Sequence, residues 1–208
     1  DNLENLKLRA KKAGYGVIAL LPNSKNWRDK PEKIPFQKNN DFDFNIYFWG
    51  SFSLKDEGIH LSPHDELLKS GVIGLSTKNF FDSPIIFKGL SLDILKSCPI
   101  IFSLTKKNSA QKGIVNRDIK ALQLGFYVID NDNNEVSEVK NILGIKSIFP
   151  SINIVIKNIS NSDSLKEIEK QTTPISTTVS WWSLIADTNN LELVDLGWKV
   201  DPPLGSKE

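Results

Sequence analysis

Asp41-Phe42-Asp43-Phe44-Asn45-Ile46-Tyr47-Phe48-Trp49-Gly50-Ser51-Phe52-Ser53-Leu54 is the stretch that decides the class of fold. Phe42, Phe44, Ile46, Phe48, Phe52 and Leu54 share one parity, interrupted only at Gly50. Asp43, Asn45, Ser51 and Ser53 occupy the other, together with the amphipathic Tyr47 and Trp49. Successive strand side chains point to opposite faces, so this alternation predicts one long, half-exposed strand with a bulge or bend at Gly50.

Upstream, Tyr15–Leu21 is apolar at every parity and ends at Pro22-Asn23-Ser24, the pattern of a strand covered on both faces within a sheet. Before it, Leu3, Leu6, Ala10 and Ala13 recur at helical spacing and Gly14 follows, which predicts an amphipathic amino-terminal helix over residues 2–13. The polar, Lys-rich stretch from Asn23 to Asn40, with Pro31 and Pro35, reads as loop.

Downstream, Ser62-Pro63-His64-Asp65 opens a short helix that Gly71 closes. Short apolar runs follow at Val72–Leu75, Ile85–Phe87 and Ile100–Leu104, with a helical turn or two at Leu92–Ser97. Asn116–Leu124 reads as helix, Phe126–Asp130 as strand, and Ile152–Ile159 as strand. A capping box from Ser164 to Glu167 then starts a helix over Leu165–Lys170. Val179–Ala186 and Leu191–Val200 read as two strands joined at Asp187-Thr188-Asn189-Asn190, a carboxy-terminal β-hairpin. The expected fold is α/β or α+β: a mixed β-sheet flanked by short helices, in one globular domain over residues 1–208 with a frayed tail at 202–208.

Composition narrows the function classes. Of 208 residues, 39% are hydrophobic and 25% charged, and 26 basic residues against 25 acidic ones leave a net charge of +1. That balance gives no indication of a nucleic-acid partner, although residues 1–40 carry nine basic residues against four acidic ones. Only three of the basic residues are arginines (Arg9, Arg28, Arg117), which offers little bidentate phosphate recognition. Apolar stretches such as Val17–Leu21 and Pro99–Phe102 fall far short of the roughly 20 residues a membrane span needs, so a soluble chain is expected, in the cytoplasm. The chain starts Asp1-Asn2-Leu3 without methionine, which is compatible with a processed chain. A lone Cys98 beside Pro99 at the start of an apolar run reads as a buried, inert thiol.

Asp130-Asn131-Asp132-Asn133-Asn134-Glu135-Val136-Ser137-Glu138 is the first stretch with chemistry in it. Oxygen donors at Asp130, Asp132, Asn134 and Glu138 resemble the opening of a calcium-binding loop, so a divalent cation is the one cofactor expected, if any. Glu135 stands where such loops turn on glycine and Asn141 where they place a bidentate acid, and a polar turn explains the same residues. Asp130 with Glu138-Val139-Lys140 also resembles the short acidic signature of metal-dependent nucleases of the restriction-endonuclease fold. There two carboxylates would hold the ion and the lysine would orient a hydroxide. His60 and His64 are the only histidines; Pro63 between them sets His64 at the start of a helix and His60 before it, two loop and cap residues. Neither a nucleophile elbow nor a phosphate loop is present.

Aromatics carry the remaining signal. Trp181 and Trp182 are adjacent in an expected strand and would face opposite ways, with Trp198 on the partner strand. One tryptophan then belongs to the core and the other needs a cover. The expected function is a non-catalytic binding or assembly module acting through protein–protein contacts at Trp181, Trp182 and Trp198, with a protein partner or a homo-oligomer. The alternative is a divalent-metal-dependent hydrolase or nuclease built on residues 130–140.

Overall fold

The computed structural model describes residues 3–35, 44–77, 83–104, 115–116, 119–125, 128–129, 132–190, 200 and 204. The chain folds as two compact units, one from Asp1–Lys78 with Asp82–Ile100, the other from Asn79–Phe81 with Ile101–Glu208. Helices and sheets combine in an α/β or α+β fold, as the sequence predicts, and all four strand pairs detailed below are parallel.

In the first unit, α1 (Leu3–Lys12) buries Ala10 and carries Glu4 in its first turn and Lys11 and Lys12 in its last, matching the helix dipole. Gly14, at φ 84°, ends it. β1 (Val17–Leu20) pairs in parallel with β2 (Asn45–Phe48) and with no other strand among the described residues. Val17 is therefore exposed, and the expectation of a doubly covered central strand does not hold.

The long alternating stretch is divided. β2 stops at Phe48, and β3 (Gly50–Ser51) starts on a new partner, β4 (Leu75–Ser76), also parallel. The Trp49 N–H still donates to the Leu20 carbonyl (3.0 Å), whereas the Gly50 N–H donates to the Gly74 carbonyl (3.0 Å). The predicted break at Gly50 is thus a change of neighbour. Parity holds on its apolar side, with Phe44, Phe48 and Phe52 buried and Tyr47 exposed. Ser51 and Ser53 are buried as well, so the polar face closes once β3 joins β4.

Arg28 secures this crossing. Its Nη2 donates to the Leu20 carbonyl (2.8 Å) and its Nε to the Trp49 carbonyl (3.0 Å), with the guanidinium 5.3 Å from the Phe48 ring centre. Burial lowers its pKa to about 10, so it stays charged at neutral pH. The neighbouring Asp29 accepts from Lys33 Nζ (2.7 Å) and from the Lys55 N–H (2.8 Å), which holds Lys55 at φ 51°. α2 (His64–Lys69) and α3 (Ser83–Leu90) complete this unit, burying Leu67, Ile86 and Leu90. Gly71, at φ 93°, closes α2 as predicted. β5 (Pro99–Ser103) begins in the first unit and ends in the second.

In the second unit, β6 (Val115–Asn116) and β7 (Val128–Ile129) pair in parallel around α4 (Ile119–Gln123). α5 (Asp132–Ile148) follows, then β8 (Asn153–Ile159), α6 (Ser162–Glu169), β9 (Ser176–Val179) and α7 (Trp181–Ile185). Val139, Ile142 and Ile145 line one face of α5, while Ile154 and Ile156 alternate inward on β8. β8 and β9 are parallel, joined through α6, with an irregularity at Asn158. The cap of α6 is Asn161, whose side chain accepts from the Asp163 N–H (2.7 Å); Ser164, the expected cap, lies inside the helix and is buried.

The expected carboxy-terminal hairpin is corrected at its first half. Strand ends at Val179, and residues 181–185 form a short helix instead of continuing to Ala186. Asp187–Asn190 then closes into a 3-10 turn, with the Asn189 N–H on Asp187 Oδ1 (2.7 Å) and the Asp187 N–H on Asn190 Oδ1 (2.9 Å). Leu191–Lys199, which would be the second strand, lies outside the described residues. Leu204, within the tail expected to fray, is buried. Among the described residues no helix is long and apolar enough to cross a membrane.

Candidate functional site

Gln171–Ala186 contains no charged residue, in a chain where a quarter of residues are charged. This run carries β9 and α7. All four residues of β9 are exposed, and among the described residues β9 stands at the end of its sheet, paired with β8. The chain then turns at Ser180, whose carbonyl accepts from the Ser183 N–H (3.0 Å), and the single helical stretch ends as the Ala186 N–H reaches the Trp182 carbonyl (3.0 Å).

That helix changes what the two tryptophans do. Neighbours on a strand face opposite ways, but neighbours on a helix are only about 100° apart. Trp181 and Trp182 therefore lie side by side, ring centres 6.3 Å apart and tilted by 55°, and neither is buried. Trp181 is 63% exposed, Trp182 40%, Leu184 69% and Ile185 50%, with exposed Val179 preceding them. Scattered surface apolar residues are ordinary; here several exposed ones follow each other on one short helical stretch. The expectation that one tryptophan belongs to the core is overturned, because the backbone there is helical. Trp198 lies outside the described residues.

The acidic stretch is also helical. Asp132, Asn134 and Glu138 lie on α5, so the backbone there is helical in place of the loop and turn expected for them. Glu138 is fully buried, while Lys140 is exposed and pairs at 3.9 Å with Glu167 on α6. Asp130 lies outside the described residues. Among the described residues no three His, Cys, Asp or Glu side chains converge as a metal site.

The residue whose role sequence reading missed is Glu135. Its buried carboxylate accepts from the Ser160 N–H (3.1 Å), the Ser160 hydroxyl (2.5 Å) and the Asn161 N–H (3.0 Å). It joins α5 to the junction of β8 and α6, one strand inward from β9. On the same buried face of α5, Lys146 donates to the Ile152 carbonyl (2.7 Å) and the Pro150 carbonyl (2.9 Å), and burial lowers its pKa.

A second feature, in the first unit, is a cavity of about 470 Å³ between the start of α2 and residues 92–94, with Asp65, Glu66 and Asp93 on its wall. Asp65 and Asp93 are paired with Lys69 and Lys96, respectively. His64 lies at this wall but is buried, its ring 4.9 Å from that of Phe52. His64 Nε2 is 2.7 Å from the Phe52 carbonyl, which can only accept, so Nε2 carries the proton and Nδ1 the lone pair. His60 precedes α2 and is exposed, as Pro63 implies. Cys98 is buried and its thiol is pushed up to about 11, the inert setting expected.

Burial also lowers the pKa of His64, against a smaller opposing effect of the Phe52 hydrogen bond. The unfolded chain, with an ordinary histidine near pH 6.5, therefore takes up a proton before the folded one does. This contribution is complete above about pH 6.5 and is lost as pH falls toward the lower folded value. Denaturant titrations at pH 7 and pH 5.5 should show the wild type losing more stability over that interval than His64→Gln, in which the amide keeps a donor for the Phe52 carbonyl. Equal losses would show that His64 does not couple to folding.

No family model matches the chain, and no curated protein is similar to it in sequence.

Proposed function

We propose that this chain is a binding or assembly module that contacts another protein chain through Val179–Ile185. The observation that carries the reading is the exposure of Trp181, Trp182, Leu184 and Ile185 together on one short helix. Tryptophan is among the side chains that contribute most to protein interfaces, since one ring buries a large area at little conformational cost. The uncharged run around it lowers the desolvation penalty of covering this face.

Size fractionation of an extract holding the chain at its natural level tests this. The wild type is expected to elute well above its own 23.4 kDa, and Trp181→Ala/Trp182→Ala at the position of the free chain. Because both rings are exposed, the double variant should keep its unfolding free energy to within roughly 0.5 kcal/mol. Elution of wild type and variant together, at either position, would refute the reading.

A further inference from the structure

We propose that His64 is a pH-sensitive latch: when its ring takes up a second proton, the flap from Ser53 to Leu61 opens while the rest of the first unit stays folded. The flap leaves the sheet after Phe52 and returns through Ser62 to α2. Few bonds close its neck: the Leu54 N–H donates to the His60 carbonyl (2.9 Å), the Ser62 N–H donates to the Phe52 carbonyl (3.2 Å), and Ser53 bridges to Leu61. Inside the flap, Lys55 and Asp56 both adopt left-handed backbone, at φ 51° and 55°. Residues other than glycine avoid that region, so the closed flap holds strain that opening relieves.

His64 fastens this neck from outside the flap, since its Nε2–H donates to the same Phe52 carbonyl that Ser62 uses. Its Nδ1 is buried without a hydrogen-bond partner, as is the Ser62 hydroxyl. A second proton must go to Nδ1, which sets a positive charge and an unmatched donor where water does not reach. No anion is bonded to the ring in compensation. On α2, Asp65 pairs with Lys69 and Glu66 is exposed; from residues 93–97, Asp93 pairs with Lys96. In the flap, Lys55, Glu57 and His60 are exposed and Asp56 is buried, while Lys88 of α3 is exposed. Only burial and the Phe52 hydrogen bond act on the titration of His64. Parting Phe52 from Ser62 and His64 brings the ring to water, where it takes the proton near its ordinary pH of about 6.5. Opening therefore becomes easier as pH falls below about 6.5, by at most about tenfold per pH unit. Ser62, Pro63 and His64 also form one wall of the 470 Å³ cavity, so the same movement reshapes it.

Amide hydrogen exchange of the full chain, followed residue by residue by NMR at pH 7 and pH 5.5, tests the latch. Protection factors divide out the chemical pH dependence of exchange and report the opening itself. The Leu54 and Ser62 amides, which close the neck, should be far less protected than those of Gly50 and Ile73, which bond to Gly74 and Phe48. Between pH 7 and pH 5.5 the protection of Leu54 and Ser62 should fall severalfold, by about tenfold at most. His64→Gln keeps a donor for the Phe52 carbonyl but has no ring to protonate, so its flap protection should be the same at both pH values. The wild-type pattern tests the flap without the variant. Equal protection of the two amide pairs would show that the flap opens only with the whole unit and would overturn the latch. So would wild-type flap protection that does not change with pH, or a fall that persists in His64→Gln.

Discussion

Gly74→Ala is expected to destabilise the first unit by about 3 kcal/mol, the upper part of the range for an overpacked core. A methyl group at Gly74 would meet the Pro99 carbonyl oxygen and Cζ3 of Trp49, each at 2.4 Å. One is backbone at the start of β5 and the other is a ring lodged where β2 passes into β3, so neither can move without disturbing a strand. Gly144 is the control. It stands on the exposed side of α5 with nothing within 4 Å of an added methyl, so Gly144→Ala should add roughly 0.5–1 kcal/mol by removing backbone freedom from the unfolded chain. Urea unfolding followed by circular dichroism measures both. A Gly74→Ala cost below that of an ordinary surface substitution would show that the Trp49–Gly74 contact is loose.

Glu135→Ala is expected to cost about 3 kcal/mol in the second unit, since charge-assisted bonds are among the strongest a fold contains. The Ser160 N–H, the Ser160 hydroxyl and the Asn161 N–H would all lose their acceptor where water has little access. Glu135→Gln retains one acceptor oxygen, and the freely rotating Ser160 hydroxyl can turn to accept from the new amide, so roughly half the loss should return. Ser160→Ala removes only the 2.5 Å contact, and its effect should be far from additive with that of Glu135→Ala. Additive losses would mean that the two residues stabilise the junction independently.

The sequence states some of this fold outright and leaves the rest silent, for reasons specific to the residues. Alternation from Phe44 to Phe52 is legible because one face is buried and side-chain period survives a change of partner strand. That Gly50 marks a change of partner is illegible, since the partners, Leu20 and Gly74, lie far away along the chain. Trp181-Trp182-Ser183-Leu184-Ile185 has the aromatic and branched composition of a strand, yet it forms a helix after the extended Ser180. Asp132 to Glu138 reads as a turn through its Asn and Asp content, yet the apolar positions that follow on α5 carry the helix back through it. In the sequence Glu135 stands out only as the wrong residue for a calcium loop. Its partners, Ser160 and Asn161, are 25 and 26 positions further on, a separation at which local pattern conveys nothing. The sequence reading assigns one tryptophan to the core and one to the surface, whereas both are exposed on the helix.

Parallel pairing also governs how quickly such a chain can acquire its structure. Val17 must wait for Asn45, Gly50 for Leu75 and Val155 for Ser176, so each ladder forms only after a long intervening segment has been brought back upon itself. A hairpin can zip from its turn, whereas these ladders have no local start, and high contact order of this kind slows folding by orders of magnitude relative to a helical bundle. The β8–α6–β9 segment spans the shortest of these three closures. During synthesis the uncharged run from Gln171 to Ala186 emerges after β8, so the strand that β9 must find is already made.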